Sequence, residues 1–118
     1  MIAVLNLFDL VPGREKEYGE YLQQVQPLLE RFQGKVLFYG SARKIYAGNC
    51  HQQYCGLVVY PGMTELRQFS LSPEFKRIRA MRDRSTLNYV LTIYEEISLE
   101  AFAQMLTNNE TGIETPDR

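Results

Sequence analysis

Two segments of this sequence are apolar at both sets of alternating positions, and this feature limits most strongly what the chain can fold into. In residues 53–60, QYCGLVVY, one set is Tyr54, Gly56, Val58 and Tyr60, and the other is Cys55, Leu57 and Val59. Residues 86–95, TLNYVLTIYE, have the same two-sided character. A strand with one face in water alternates apolar with polar residues. We therefore expect a β-sheet that is covered on both faces.

The remaining segments predict the order in which strands and helices follow one another. Strands are expected at residues 2–9, 35–46, 53–60 and 86–95, with Gly48-Asn49 in the turn of the central hairpin. An amphipathic helix is expected at residues 14–33, kinked at Pro27. A short helix holding Leu66 and Phe69 then precedes a second main helix, which Ser72 opens as N-cap with Pro73 at the first helical position.

The order strand, helix, strand, strand, helix, strand is that of the ferredoxin-like α+β sandwich, a βαββαβ fold with an antiparallel four-stranded sheet and helices on one face. We assign residues 1–96 to this domain. Residues 97–118 form a C-terminal extension, with a short helix at 98–106 and then a flexible tail. Because the helices cover only one face of the sheet, the other face needs a second copy of the chain. The sequence therefore predicts a homodimer in which two sheets pack face to face.

Composition excludes several classes of protein. The chain has 118 residues, and its 13 basic and 14 acidic side chains give a formal charge of -1, so no nucleic-acid partner is expected. No apolar run approaches a membrane span, and the N-terminus lacks a secretory leader, so we expect no membrane partner and a cytoplasmic location. Cys50, His51 and Cys55 lie in CHQQYC without a second ligand pair. We therefore expect no metal and no cofactor.

Three stretches of the sequence resemble a known superfamily. They are EKEYGEYLQQVQPLLERFQGKVLFYG, LVVYPGMTEL and SPEFKRIRAMRDRST followed by an apolar strand. The most specific parts are the helix with Pro27, the glycine at 40, and the Ser-Pro-Glu-aromatic helix start followed by Arg82. Over residues 2–96 the chain resembles the dimeric α/β-barrel superfamily. Within it, the chain is similar to an uncharacterised bacterial branch, the domain of unknown function thirteen-thirty.

The resemblance implies a βαββαβ subunit, a barrel-like dimer and a small cleft in each subunit, but no particular reaction. Neighbouring branches include cofactor-independent monooxygenases, whose sites use asparagine, tryptophan and tyrosine, and haem-degrading proteins, which use a proximal histidine. The chain has no tryptophan, and His51 matches no such histidine. The extension beyond residue 96 also departs from the short form of the family, and either a cap over the cleft or a contact with the partner subunit would explain it.

Arg82 is the first candidate ligand-binding residue. At 100° per residue it falls about 40° from Ile78, inside the apolar sector of its helix. An arginine that points inward needs an anion, a group of carbonyls or a pocket mouth beside it. Recognition of a carboxylate or other anion is the functional interpretation, and a salt bridge or a cap on the helix is the alternative.

A second candidate group consists of polar residues on the strands. Its members are Asn6, Tyr39, Arg43, Tyr54 and Asn88, with Ser41 and Thr92 beside them. Tyrosine rings can stack on a flat ligand while an asparagine holds an oxygen atom. The alternative is that the tyrosines fill an interface and the asparagines are satisfied internally. Strand register decides which of these residues share a face, and the sequence leaves it open.

Two hypotheses for function follow. The first is a homodimeric small-molecule-binding protein for a small aromatic or carboxylated metabolite, whose catalytic form would be a cofactor-independent enzyme of the oxygenase or isomerase type. The alternative is a structural or regulatory dimer without catalysis, in which packing fills the cleft. Nucleic-acid binding by the basic residues between 76 and 84 is disfavoured, because Asp83 interrupts them and their face lacks aromatic residues.

Overall fold

A computed structural model describes residues 1–108. The strands are β1 (Ile2–Leu10), β2 (Lys35–Ser41), β3 (Tyr54–Tyr60) and β4 (Thr86–Glu95). The helices are α1 (Glu15–Arg31), α2 (Met63–Leu71), α3 (Pro73–Ser85) and α4 (Leu99–Thr107). α4 lies in the segment where a short helix of the C-terminal extension is expected. The flexible tail expected after it falls, from residue 109 onward, outside the described residues.

The four strands form one antiparallel sheet in the order β2-β3-β1-β4, which confirms the ferredoxin-like α+β fold. Ile2, Val4 and Phe8 of β1 are buried beneath α1 and α3, which pack against each other. Each lies directly opposite a residue of β3, and Val4 faces Val58. Because directly paired residues point to the same side of a sheet, this register gives the sheet one face that is buried by the helices.

Helix α1 carries the apolar stripe that covers this face. Tyr18, Tyr21, Val25 and Leu29 are buried, at the spacing that puts them on one side of a helix. Pro27 lies inside the helix, and the kink expected there stays a prediction. The helix ends because Gln33 adopts a left-handed conformation, with φ of 63°, and the amide of residue 34 then donates to the Leu29 carbonyl at 2.7 Å.

The start of α3 follows the predicted capping geometry. The Ser72 hydroxyl accepts a hydrogen bond from the Phe75 amide at 3.2 Å, and Pro73 occupies the first turn, where no backbone donor is needed. The same hydroxyl donates to the Phe69 carbonyl at the end of α2 at 2.7 Å. This junction sets Phe69 and Phe75 against each other with ring centroids 4.4 Å apart. It therefore fixes how α3 approaches the sheet.

The prediction that the second strand continues to residue 46 is wrong, because β2 ends at Ser41. Ser41 pairs with Tyr54, the first residue of β3, and one further backbone bond joins Ala42 to Gln53 at 2.7 Å. Beyond that bond the extended segment has no neighbouring strand within the described chain. Residues 42–53 therefore form a long connection without helix or strand, instead of a tight turn at Gly48-Asn49.

The second face of the sheet is apolar and uncovered. Phe38, Val90 and Tyr94 are 57%, 43% and 51% exposed. Leu5 and Leu57, which pair with each other at the centre of this face, are only partly buried. Helix α4 buries none of its own residues. The described chain thus leaves an apolar sheet face open, which is the two-sided character that the strand sequences have.

Candidate functional site

A cavity of about 200 Å³ lies between the helix-covered face of the sheet and helices α1, α2 and α3. β1, β3 and β4 form its floor, and its walls carry Tyr18 and Tyr21 of α1 and Phe75 and Arg82 of α3. A larger depression of about 560 Å³ is open to solvent and is lined by one surface segment between Pro12 and Glu20. Ligand sites are concave and mostly apolar with a few convergent polar groups. The cavity beneath the helices is therefore the candidate site.

Tyrosine side chains dominate the polar lining of this cavity. The five that line it come from four different elements: Tyr18, Tyr21, Tyr39, Tyr60 and Tyr89. Burial raises the pKa of the Tyr89 phenol to about 12. Burial also raises the pKa of each of the other four above the ordinary phenol value. At neutral pH these hydroxyls are therefore protonated, and each carries one hydrogen-bond donor.

Asn6 lies on the cavity floor and has a partner at each end of its side-chain amide. The Tyr89 hydroxyl donates to its Oδ1, and its own Nδ2 donates to the Gly56 carbonyl at 3.4 Å. The second bond is possible because Asn6 of β1 stands directly opposite Gly56 of β3. This arrangement matches the alternative in which a buried asparagine is satisfied within the protein. Asn6 holds Tyr89 in position and leaves the ring of Tyr89 facing the cavity.

Arg82 brings a positive charge to the cavity wall. Its side chain is only 16% exposed, and its Nε and Nη2 donate to Oδ1 of the neighbouring Asp83 at 3.2 and 3.1 Å. The guanidinium also lies 4.8 Å from the centre of the Tyr89 ring. Burial opposes the charge, but the nearby Tyr89, Tyr21 and Asp83 outweigh it and hold the pKa of Arg82 above its ordinary value. The salt-bridge alternative is thus present, yet it occupies only two of the five N–H groups of the guanidinium.

The described residues that line the cavity carry a net positive charge. Among the described residues that line it there is one arginine, and there is no aspartate, glutamate or histidine. The Asp83 carboxylate lies on the solvent side, with a side chain that is 55% exposed. A cavity with a guanidinium, several phenol donors and apolar walls can hold the negative end of a flat ligand. No side chain of the lining is an ordinary acceptor of protons at neutral pH.

The structure brings together three of the six residues that the sequence suggested as ligand contacts. Asn6, Tyr39 and Arg82 all line the cavity. Tyr39 reaches it from β2, where its hydroxyl lies 3.3 Å from that of Tyr18.

The other three residues lie outside the lining. Arg43 is exposed in the connection after β2. Tyr54 stacks on Phe8 with ring centroids 5.7 Å apart, at one end of the core. Asn88 donates to Asp9 at 2.9 Å, because a register shift between β1 and β4 turns it out of the regular strand alternation. The expected polar group is therefore divided between residues that line the cavity and residues that lie outside it.

Four tyrosines that line the cavity were not predicted from the sequence as ligand contacts: Tyr18, Tyr21, Tyr60 and Tyr89. The signal that could have found two of them is on α1, where Tyr18 and Tyr21 occupy apolar stripe positions. A tyrosine in a stripe brings a hydroxyl that needs a partner, unlike leucine at the same place. Tyr89 had no such signal, because its direction depends on the irregular pairing of β4 with β1.

The cysteine and histidine motif does not assemble a metal site in the part of the chain that the structure describes. Cys50 and Cys55 are both free thiols, the first exposed and the second partly buried. Within residues 1–108 no group of three histidine, cysteine, aspartate or glutamate side chains is placed to hold a metal ion. Across the same residues, no helix combines the length and the apolar character that crossing a bilayer requires.

The topology defines a ferredoxin-like α+β protein with a small internal cavity, and comparison with known sequences and structures places it further. Residues 7–96 match the family called domain of unknown function (DUF1330). The match spans most of the chain, and the protein belongs to this family. No curated protein matches the sequence significantly.

Solved structures support the same fold. A protein of unknown function from Rhodopseudomonas palustris superimposes with a TM-score of 0.73 at 20% identity, covering 82% of each chain. A dimeric ferredoxin-like protein of unknown function from Jannaschia gives 0.67 at 16% identity, over 80% of this chain and 98% of that one. SnoaB, a cofactor-independent oxygenase from Streptomyces nogalater, gives 0.60 at 11% identity, over 82% and 93%.

Proposed function

We propose that the protein is a homodimer in which each subunit binds a small aromatic or carboxylated metabolite in the cavity beneath its helices. The observation that carries the proposal is the position of Arg82, a cation on the wall of a cavity whose lining includes no acidic side chain among the described residues. Arginine recognises a planar carboxylate through paired N–H donors. The phenol of Tyr21 lies beside it and can donate to the same oxygen atoms, while the ring of Tyr89, whose hydroxyl donates to Asn6, forms part of the wall.

The size of the cavity limits the ligand. A volume of about 200 Å³ is below the range of about 300–1,000 Å³ that drug-sized ligands occupy. Haem and fused polycyclic compounds are therefore too large for the cavity in this form. Phe69, Phe75 and Val58 supply apolar walls for the body of the ligand. A single-ring or short-chain carboxylate combines the right size with a head group for Arg82.

The proposed homodimer forms through the uncovered face of the sheet. Phe38, Val90 and Tyr94 are exposed there beside Leu5 and Leu57. A contiguous apolar face of this kind marks an interaction site on a folded protein. Packing against a second copy would bury it symmetrically, and structural neighbours from Jannaschia and Bacteroides fragilis are described as dimeric.

A catalytic version of this function would be a cofactor-independent reaction of the oxygenase or isomerase type. Arg82 and the tyrosine hydroxyls would stabilise negative charge as it develops on an oxygen of the ligand. The similarity to SnoaB concerns the fold. The alternative, a structural or regulatory dimer, is favoured by one observation, which is that Asn6 already has partners for both ends of its amide. The cytoplasmic location stays a prediction from the sequence.

Thermal unfolding with small carboxylates tests the proposed binding. Benzoate, salicylate and phenylpyruvate would be compared with benzamide, which has a similar ring and no charge. At a concentration of about 100 times the Kd, a ligand stabilises its protein by about 2.7 kcal/mol, which is several degrees in Tm for a domain of this size. We expect at least one carboxylate to raise the Tm of the natural protein and of Arg77→Gln, an exposed position on the same helix. Arg82→Gln should abolish the shift.

Two results would contradict the proposal. If a carboxylate raises the Tm of Arg82→Gln as much as that of the natural protein, Arg82 does not bind the ligand. If no carboxylate raises the Tm of the natural protein, the structural alternative is favoured. The assembly is tested separately by sedimentation velocity at micromolar concentration. If the protein is a monomer at that concentration, the proposed homodimer is wrong. The proposed binding in the cavity is then tested by the thermal unfolding experiment alone.

A further inference from the structure

Helix α4 has an apolar face that nothing in its own subunit covers. Ser98 caps the helix by accepting a hydrogen bond from the Ala101 amide at 3.1 Å, so its start is well defined. Leu99, Phe102 and Leu106 fall on one side at 100° per residue, and Glu100 falls on the other. Leu99 is 85% exposed, and no residue of α4 is buried.

A helix of this length depends on packing for its stability. Isolated helices shorter than about 12–15 residues are marginal in water, and α4 has 9 residues. It also has few contacts with its own subunit, because none of the other described helices or strands packs extensively against it. The apolar side of α4 therefore needs a surface outside its own subunit.

A second uncovered feature lies in the connection after β2. We call residues 42–46 the basic segment; it includes Arg43, Lys44, Ile45 and Tyr46. Ile45 and Tyr46 are 54% and 92% exposed, and the Lys44 Nζ lies 5.6 Å from the centre of the Tyr46 ring. The sequence here has the composition of a strand, but within the described residues no strand pairs with it.

The two features are complementary in charge as well as in apolar surface. From residue 95 to residue 107 there are three acidic residues, Glu95, Glu96 and Glu100, and no lysine or arginine. From residue 35 to residue 46 there are three basic residues and no acidic one. Opposite charges around an apolar centre fix the orientation of a contact and exclude wrong ones.

Topology prevents α4 from reaching the basic segment of its own chain. β4 and β2 are the two edges of the sheet, three strand spacings or about 14 Å apart. They run in opposite directions, so the segment after β2 and the helix after β4 lie at opposite ends of the sheet, a further distance of about 23 Å along β2. The three linking residues reach at most about 10 Å and the length of α4 adds about 13 Å, which together fall short of the diagonal of about 27 Å. A second copy has no such restriction.

We infer that α4 of each subunit packs its apolar side against the basic segment of the partner subunit. This inference rests on the proposed homodimer, and it adds an exchange of C-terminal arms to the contact between the sheets. A two-fold axis makes the exchange reciprocal, so each dimer contains two equal contacts between an α4 and a basic segment. Glu100 then faces the cationic side chains of the partner, while Leu106 and Phe102 cover Ile45 and Tyr46.

Cysteine cross-linking tests the contact in the full chain. In a background with Cys50→Ser and Cys55→Ser, the pair Leu106→Cys and Tyr46→Cys is treated with a short bismaleimide. We expect covalent dimers from the double variant. The single variants and a control pair, Leu106→Cys with Gln23→Cys, should give little, because Gln23 is exposed on α1 away from the basic segment.

Charge reversal provides a second measurement that does not introduce cysteines. Glu100→Lys and Lys44→Glu should each weaken the dimer about two- to thirtyfold, because one exposed ion pair changes affinity about 1.4- to fivefold and each dimer contains two such contacts. The combined variant should regain most of the affinity. Sedimentation velocity over a dilution series measures the dissociation constant of each form.

The outcomes separate the two proposals. Cross-linked dimers with recovery in the combined variant support the arm exchange. If the natural protein is dimeric but the double-cysteine variant gives no cross-link and the charge-reversal variants keep the natural affinity, the arm exchange alone is overturned and the face-to-face dimer stands. A monomeric natural protein overturns both.

Discussion

The hydroxyl of Tyr89 donates a hydrogen bond to Oδ1 of Asn6, and this bond joins β4 to β1 at the floor of the cavity. It depends on an irregularity in the pairing of the two strands, which shifts register between Leu7 and Asp9. At the shift Asn88 takes a left-handed conformation, with φ of 53°, and Tyr89 turns toward the helices. Because of this local geometry, Tyr89 lines the cavity and Asn88 does not.

Removal of the Tyr89 hydroxyl tests how much this hydrogen bond contributes to the free energy of unfolding. We expect Tyr89→Phe to lower the free energy of unfolding by about 1–2 kcal/mol, because Asn6 is buried and its Oδ1 loses its donor. Tyr46→Phe is the control, since its side chain is 92% exposed. Unfolding in urea measures both, and an equal effect in the two variants would mean that the bond contributes nothing specific.

Alkaline pH should destabilise the protein through the same residue. The pKa of Tyr89 is about 12 in the folded chain, against about 10 for an unfolded tyrosine. Between these values the unfolded chain releases a proton that the folded chain retains, so stability falls as pH rises. Per group the slope is about 1.4 kcal/mol per pH unit. Unfolding in urea at several pH values from 10 upward should give a shallower slope for Tyr89→Phe, and an unchanged slope would contradict the assignment.

The glycine at position 56 should be required for the position of Tyr39. A Cβ placed on Gly56 would lie 2.6 Å from Cζ of the Tyr39 ring, which must then move. We expect Gly56→Ala to cost about 1–3 kcal/mol and to reduce ligand binding, because Tyr39 lines the cavity.

A matched control for this change is Gly19→Ala in α1. A Cβ there meets no atom within 4 Å, and alanine favours a helix over glycine by about 0.8–1.0 kcal/mol. Urea unfolding should therefore give opposite signs for the two substitutions. No destabilisation by Gly56→Ala would contradict the close contact of Gly56 with Tyr39 of β2, and destabilisation by Gly19→Ala would contradict the open space around that position in α1.

Asn88 should matter for stability and not for the cavity. Its left-handed conformation suits asparagine and glycine, and strains a β-branched residue. We expect Asn88→Val to destabilise the protein by about 1–3 kcal/mol and Asn88→Gly to cost less. Any carboxylate that stabilises the natural protein should stabilise Asn88→Gly by the same number of degrees. If the carboxylate no longer raises the Tm of Asn88→Gly, Asn88 takes part in ligand binding.

Much of the fold could be predicted from local patterns. The α1 stripe, the Ser72 cap and the two-sided strands are each visible within a few neighbouring residues, because helix and strand periodicity and capping act over that range. The order of elements then leaves few topologies, and the ferredoxin-like sheet is the one found. The family resemblance agreed with this result.

Register and strand ends could not be predicted in the same way. β2 ends at Ser41 because its partner strand β3 begins at Tyr54. The sequence of residues 42–46 gives no sign that this segment lacks a strand to pair with. Whether Tyr89 or Asn88 reaches the cavity depends on a register shift against β1, a strand about 80 residues earlier in the chain.

The sequence by itself determined the elements, their order and the need to cover both faces of the sheet, since these follow from the chemistry of adjacent residues. Only the tertiary structure decided which polar side chains meet. Arg82 and Asn6 share a cavity because a helix and a strand far apart in sequence pack together, whereas Asn88, next to Tyr89 of the lining, pairs with Asp9 outside the cavity. One shifted residue in a strand reverses the face that its side chain joins, and that shift is set by contacts between strands rather than along them.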